Sequence, residues 1–323
     1  MKRKLFSAML GAFALLLLMG AASTPTQPAA TLLAEEESAA LKETALETEA
    51  ESRDTKFTQA VVAAAGVDPT SVAVPVTPEN TMFIDGQSAP QSLNRRSVLG
   101  TTYVALAAIA QELDPAAQSS WDGETMTVTT EKLSLTAKVG QLYMVANGRY
   151  FYIPEQVQLD EAGQVSVPLR AAAKAFDAAV DYDPATATIT VTRGTGAAIS
   201  GESFYNQDDL FWLERVIYRE SGNQSLEGQM AVGNVVLNRV ADPIFPNTVE
   251  EVLAQKNQFS TYKSGVLRKT EPSASSTIAA KLVMDGGVVE ETKGALFFDS
   301  GVNSWAARNK KLIATFGDHN FYG

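Results

Sequence analysis

The apolar positions of this chain follow two periods, and the change between them falls near residue 200. Upstream, short segments alternate with a period of two. Thr-Met-Thr-Val-Thr at 125–129 and Thr-Ile-Thr-Val-Thr at 188–192 read as half-buried strands. They close two copies of one unit. Residues 101–130 and 165–193 each pass from a strand into a short Ala-rich helix and a turn. An aromatic residue follows (Trp121 or Tyr182), then an aspartate, then the alternating strand. Asp122-Gly123 and Asp183-Pro184 are turn signals.

From Gln207 onward the period is helical. Residues 209–221 predict a helix with Leu213, Val216 and Ile217 on one stripe. The next position on that stripe is Glu220, just before Gly222 breaks the helix. Ser225 caps a second helix, with Leu226, Met230, Gly233, Leu237 and Val240 on one face and Asp242-Pro243 as its stop. Glu227 falls in its first turn, where an acid complements the helix dipole. Thr248 begins a short helix, and Pro272-Ser273 open another that Gly286-Gly287 close. Residues 295–300 read as a buried strand, and 317–323 as an aromatic, turn-rich tail. The expected class is α+β. A two-repeat α+β domain spans 81–193, a Gly/Ser-rich linker 194–206, and a mainly helical domain with a small β-sheet 207–323.

The first 80 residues carry different signals. Lys2, Arg3 and Lys4 precede an apolar run from Leu5 to Met19 and the small residues Gly20-Ala21-Ala22. This is the pattern of an export signal over 1–22. The run is near the lower limit for a membrane span, which leaves an uncleaved anchor as the alternative. Residues 23–80 are rich in Ala, Thr and Glu with few large apolar side chains, and read as an acidic disordered linker. The expected location is the cell envelope or the secreted fraction.

Composition removes most chemistry. The 323 residues contain no cysteine and one histidine, His319. There is no thiol nucleophile, no thiolate metal site and too little imidazole for a usual zinc centre. A Ser-His-Asp triad would have to use His319, and no G-x-S-x-G elbow is present. Carboxylates remain. Neither a metal nor an organic cofactor is called for. The net charge of −11 disfavours nucleic acid and anionic lipid as partners, and a neutral ligand such as a glycan fits better.

Two resemblances complete the reading. Thr-Met-Phe-Ile-Asp-Gly-Gln at 81–87, Tyr-Val-Ala-Leu at 103–106, and the stretches 166–176 and 181–191 resemble the copper amine oxidase N-terminal-like domain. That resemblance implies a stalk, spacer or wall-binding module. The region has no His or Cys, so copper is not expected there. Further on, 218–240, 245–253, Gln258-Phe259-Ser260, 295–299 and Phe316 to Tyr322 follow in order. They are similar to the spore cortex-lytic, or cell-wall hydrolase, family of peptidoglycan-cleaving enzymes. This implies a lysozyme-like domain with Glu220 as the catalytic acid.

The Glu220-Ser221 pair is also similar to the lytic transglycosylase pattern, in which one carboxylate suffices. The substrate implied is the glycan strand of peptidoglycan. A hydrolytic muramidase, an N-acetylmuramoyl-L-alanine amidase and a non-catalytic wall-binding protein are the rivals. Many members carry a second glutamate four residues after the first, where this chain has Gln224. Tyr218, Ser221, Gln258, Phe259, Ser260, Phe298, Asp299, His319 and Tyr322 are candidate substrate-binding residues. Asn238-Arg239 reads as a fold-holding pair, with Arg239 bridging to an acid.

Overall fold

Strand, helix and hairpin follow each other twice in the first domain. The first copy is the strand Thr101–Ala105, helix α1 (Leu106–Leu113) and the hairpin Gln118–Trp121 with Thr125–Thr129. The second is the strand Val165–Pro168, helix α2 (Leu169–Ala175) and the hairpin Ala179–Asp183 with Thr188–Thr192. The leading strands of the two copies pair antiparallel, with Val104 opposite Val167. Thr81–Ile84 joins the second hairpin as a parallel neighbour. The first hairpin instead continues through Ser134–Lys138 and Tyr143–Ala146 to Arg149–Tyr152. The computed structural model describes residues 81–323 except Asn257 and Val302. The expected export signal and the 23–80 linker lie outside the described residues.

The alternation does what its period requires. Ile189 and Val191 are buried while the alternating Thr188, Thr190 and Thr192 are half-buried or exposed. In both hairpins the aspartate builds the turn. Asp122 accepts from the N–H groups of Glu124 and Thr125, and Asp183 from the N–H of Ala185 and the hydroxyl of Thr186.

The second domain is helical. It contains α3 (Gly201–Phe204), α4 (Gln207–Ser221), α5 (Leu226–Ala241), α6 (Val249–Ala254), α7 (Ser260–Lys263), α8 (Val266–Lys269), α9 (Ala274–Met284) and α10 (Trp305–Asn309). A three-stranded sheet places His319–Tyr322 between Phe297–Asp299 and Leu312–Phe316. The expected caps form: Ser225, Thr248 and Ser273 each accept from a main-chain N–H of the helix they open.

Helix α5 departs from the one-face expectation. It is buried almost all round, and α4 and α9 both pack against it at Gly233. Gly233 permits this closeness, because a Cβ there would meet Ile217 Cδ1 at 2.9 Å and Val283 Cγ2 at 3.0 Å. The strand expected over 295–300 is shorter and only half-buried, covering Phe297–Asp299.

Residues 194–206 do not behave as a free linker. Ala198 and Tyr205 are buried. The Gly201 N–H donates to the Asn147 carbonyl at 2.8 Å, and the Tyr150 N–H to the Tyr205 hydroxyl at 2.9 Å. Beside this joint lies a buried ion cluster. Arg149 donates twice to the Asp285 carboxylate, at 2.8 and 3.0 Å, and its guanidinium stacks 3.6 Å over the Phe204 ring. Lys174 donates to the same carboxylate and, at 2.8 Å, to the Asp285 carbonyl. The Asp285 side chain is 1% exposed, so the pairing is what makes its charge tolerable there. The two domains meet through a packed, charged joint and belong to one compact unit.

Candidate active site

Helix α4 starts on Asn206, whose side-chain oxygen accepts from the N–H groups of Asp208 and Asp209. Acids in its first turn and Arg219 in its last complement the macrodipole. Leu213, Val216 and Ile217 are fully buried, as the stripe predicts. Glu220 continues that stripe at the rim of the core and is half-buried. Burial pushes its carboxyl above the usual range, against a smaller downward pull from Arg219. An acid held this way stays protonated closer to neutrality and can deliver a proton.

The helix end is held from outside. The His319 imidazole, on the middle strand of the small sheet, lies within hydrogen-bonding reach of the Glu220 main-chain carbonyl. That carbonyl is one of the last-turn acceptors that a helix leaves without a partner. Burial also lowers the His319 pKa, which favours the neutral ring. Phe298 meets the His319 ring edge-on at 5.5 Å, with Phe259 and Phe321 at 6.5 and 6.3 Å.

A second tie sits four residues beyond Glu220. Gln224 Nε2 donates to Asp318 at 2.7 Å, and the Asp318 N–H returns a bond to Gln224 Oε1 at 3.1 Å. The amide supplies a donor and an acceptor at once, which a carboxylate cannot do. Gly317 makes room for it: its φ is +57°, and a Cβ there would lie 2.2 Å from Gln224 Oε1. The clamp therefore fixes the turn that presents His319.

Arg239 stitches the rest together from inside. It donates to the Leu296 carbonyl at 2.6 Å and to Gln258 at 3.0 Å, among the rings of Phe245, Phe259 and Phe297. Burial draws its pKa down to about 10. Asn238 donates to the Ala295 carbonyl at 2.9 Å. The pair holds the fold as expected, but the acid predicted for Arg239 is replaced by a carbonyl, an amide and three aromatic faces.

Comparison with known proteins bears directly on this arrangement. Residues 223–322 match the Cell Wall Hydrolase family model, from just past Glu220 to the penultimate residue. The C-terminal domain is a cell wall hydrolase domain. Residues 83–191 match the Copper amine oxidase N-terminal domain. Among curated proteins, the spore cortex-lytic enzyme of Bacillus cereus is 31% identical over 121 residues, covering 36% of this chain and 45% of its own. That of Bacillus subtilis is 26% identical over 120 residues, covering 36% and 38%. The chain thus spans less than half the length of the curated relatives it matches. The solved catalytic domain of germination-specific lytic transglycosylase SleB from Bacillus anthracis shares 30% identity. It covers 37% of this chain and 97% of its own, with a TM-score of 0.34.

Within the cell wall hydrolase domain the candidate residues separate by exposure. Tyr218 is 39% exposed and lies over Gly222, beside the carboxylate's helix end. Gln258 and Ser260 are exposed, and Phe298 is half-buried. These can face a ligand.

Others cannot do so as placed. Ser221 is fully buried and donates to the Ile217 carbonyl at 3.0 Å, so it stabilises its own helix. Phe259 is a core ring at the N-cap of α7. Tyr322 is buried, and its hydroxyl donates to Asp299. Asp299 also receives the Gly301 N–H and the Ser304 hydroxyl, which makes it the organiser of its loop. His319 is buried, close to the Glu220 main chain.

Sequence reasoning missed the Gln224–Asp318 clamp. The signal available was the Gln itself at the position the family pattern marks. Its partner, 94 residues on, had none.

Proposed function

We propose that this chain is an exported peptidoglycan-degrading enzyme. It cleaves the bond between N-acetylmuramic acid and N-acetylglucosamine as a lytic transglycosylase, with Glu220 as its one acid/base. The observation that carries the reading is the half-buried Glu220 carboxyl, its pKa raised by burial, at the end of an apolar helix stripe in a cell wall hydrolase domain. The named relatives, a spore cortex-lytic enzyme and a germination-specific lytic transglycosylase, support the substrate class.

In the first half-reaction Glu220 gives its proton to the glycosidic oxygen as the C1–O bond of the muramic residue breaks. In the second, the resulting carboxylate takes the proton from that sugar's C6 hydroxyl. The freed O6 closes on C1, giving a 1,6-anhydro ring and consuming no water. Tyr218, Gln258, Ser260 and Phe298 border the strand.

A single carboxylate is enough because the nucleophile belongs to the substrate.

The test is a digest of purified peptidoglycan by the full chain and its Glu220→Gln variant, read by mass spectrometry. Products ending in 1,6-anhydro-muramic acid, absent with the variant, are expected. Reducing ends would mean a hydrolase and reopen the search for a second carboxylate. Free stem peptides, lost on chelation, would mean an amidase and remove Glu220 from the mechanism. Binding without any product would leave a wall-binding protein.

A further inference from the structure

We infer that Gln229 is a positioning residue for the reaction: it fixes the turn that ends helix α4 and so sets where the Glu220 carboxyl stands. The inference rests on the function proposed above.

The turn needs fixing because the helix does not run on through it. In a continuing helix the Gln224 N–H would bond to the Glu220 carbonyl, four residues back. It donates instead to the Ser221 carbonyl at 2.9 Å, three residues back. The Gly222 N–H still keeps the helical partner, donating to the Tyr218 carbonyl at 3.0 Å. The change of pairing therefore falls directly after Glu220. It leaves the Glu220 carbonyl to the His319 imidazole, which lies within its reach. A shift of the Gln224 main chain alters this pairing and tilts the turn that carries the carboxyl.

Gln229 holds that main chain. It stands at the start of α5 and is 2% exposed. Its Nε2 donates to the Gln224 carbonyl at 3.0 Å and to the Ser275 hydroxyl at 2.9 Å. Its Oε1 accepts from the Ser276 hydroxyl at 3.0 Å. Both amide protons and the amide oxygen are engaged, so the side chain has one orientation; a flip would set Oε1 against the Gln224 carbonyl. Ser276 meets Ser273, the cap of α9, hydroxyl to hydroxyl at 2.8 Å. One buried amide thus ties the Gln224 carbonyl to two helices. The Asp318 clamp grips the same residue by its side chain.

Helix α5 carries a second buried amide that serves a different loop. Asn234 donates to the Gly287 carbonyl at 2.8 Å and accepts from the Val289 N–H at 3.1 Å. That loop belongs to the joint, where a Cβ on Gly287 would lie 3.0 Å from Tyr152 Cβ. The two amides are alike in chemistry and burial and differ in what they hold. Asn234 therefore separates a loss of stability from a loss of position.

The test compares the full chain with Gln229→Met, Ser275→Ala and Asn234→Ala, each checked for folding by circular dichroism melts. Cleavage of purified peptidoglycan at several concentrations separates kcat from KM. Gln229→Met is expected to lower kcat about ten- to a hundred-fold with KM within about two-fold, as a slightly misplaced catalytic group does. Ser275→Ala, which releases one side of the amide, lowers kcat by less. Asn234→Ala lowers Tm and keeps the parent's kcat. A folded Gln229→Met chain with the parent's kcat, or an equal loss of kcat in Asn234→Ala, would overturn the inference. Should Gln229→Met fail to fold, Ser275→Ala decides, and an unchanged kcat there overturns it.

A carbon-13 titration of the Glu220 carboxyl, its signal assigned by its loss in Glu220→Gln, keeps the two claims apart. If the parent releases no glycan fragments, the function proposed above has failed, and this titration still reads what Gln229 does to the carboxyl. A midpoint displaced in the Gln229 or Ser275 variant and unmoved in Asn234→Ala upholds the tie. One midpoint for all four chains overturns it.

Discussion

Replacing Gln224 by Glu tests the clamp with a single atom. The amide nitrogen that donates to Asp318 at 2.7 Å becomes an oxygen facing an oxygen. The bond from the Asp318 N–H to Oε1 survives, so the packing is unchanged and only charge and one donor are altered. Two unit charges about 4 Å apart repel by about 1 kcal/mol in a water-like dielectric and by about 4 at an effective value of 20. Asp318 is exposed, which places the pair near the lower figure. The lost hydrogen bond adds about 1 kcal/mol.

The expected cost is therefore about 2 kcal/mol at pH 7 and low salt, a fall in Tm of roughly 4–8 °C for a unit of this size. In the variant the folded state holds one of the two carboxyls at a raised pKa. The penalty is present above the ordinary carboxylate range and disappears as the pH falls through it. Thermal melts followed by circular dichroism at pH 7 and pH 4, at low and high salt, measure this. Equal melting temperatures for parent and variant at pH 7 and low salt would refute the reasoning. Because the clamp fixes the turn that carries His319 to the Glu220 carbonyl, glycan cleavage is expected to fall as well.

The other predictions concern the proton donor and the joint. Glu220→Gln abolishes cleavage yet raises Tm at pH 7, because the ionised carboxyl is penalised by burial in the folded state. That gain vanishes as the pH falls below the ordinary glutamate value of about 4.3. The parent's cleavage rate declines as pH rises through the raised Glu220 pKa, which a pH–rate profile reads. Asp285→Ala leaves the buried Arg149 guanidinium without its carboxylate and costs about 3–5 kcal/mol, measured by denaturant unfolding. Gly201→Ala drives a Cβ to 2.3 Å from the Gly148 carbonyl oxygen and costs about 1–3 kcal/mol. Faster proteolysis between residues 194 and 206 is its readout.

Local pattern was enough for much of this molecule. The period-two runs at 125–129 and 188–192, the two Asp-built turns, the caps at Ser225, Thr248 and Ser273, and the stripe leading to Glu220 are all set by residues a few positions apart. Backbone sterics, side-chain period and cap chemistry act over that range, so the elements and the acid at the helix end were legible from the chain alone.

Contacts between distant segments were decided only when those elements packed. Arg149 finds Asp285 across 136 residues, and Gln224 finds Asp318 across 94. A Gly/Ser-rich stretch that reads as a tether becomes a packed joint, because Gly201 lacks the Cβ that would keep it from Gly148. The same step turned Ser221, Phe259 and Tyr322 inward, away from any ligand. Sequence period places a residue on a face. Which faces become interior depends on what packs against them, and that is a property of the assembled core.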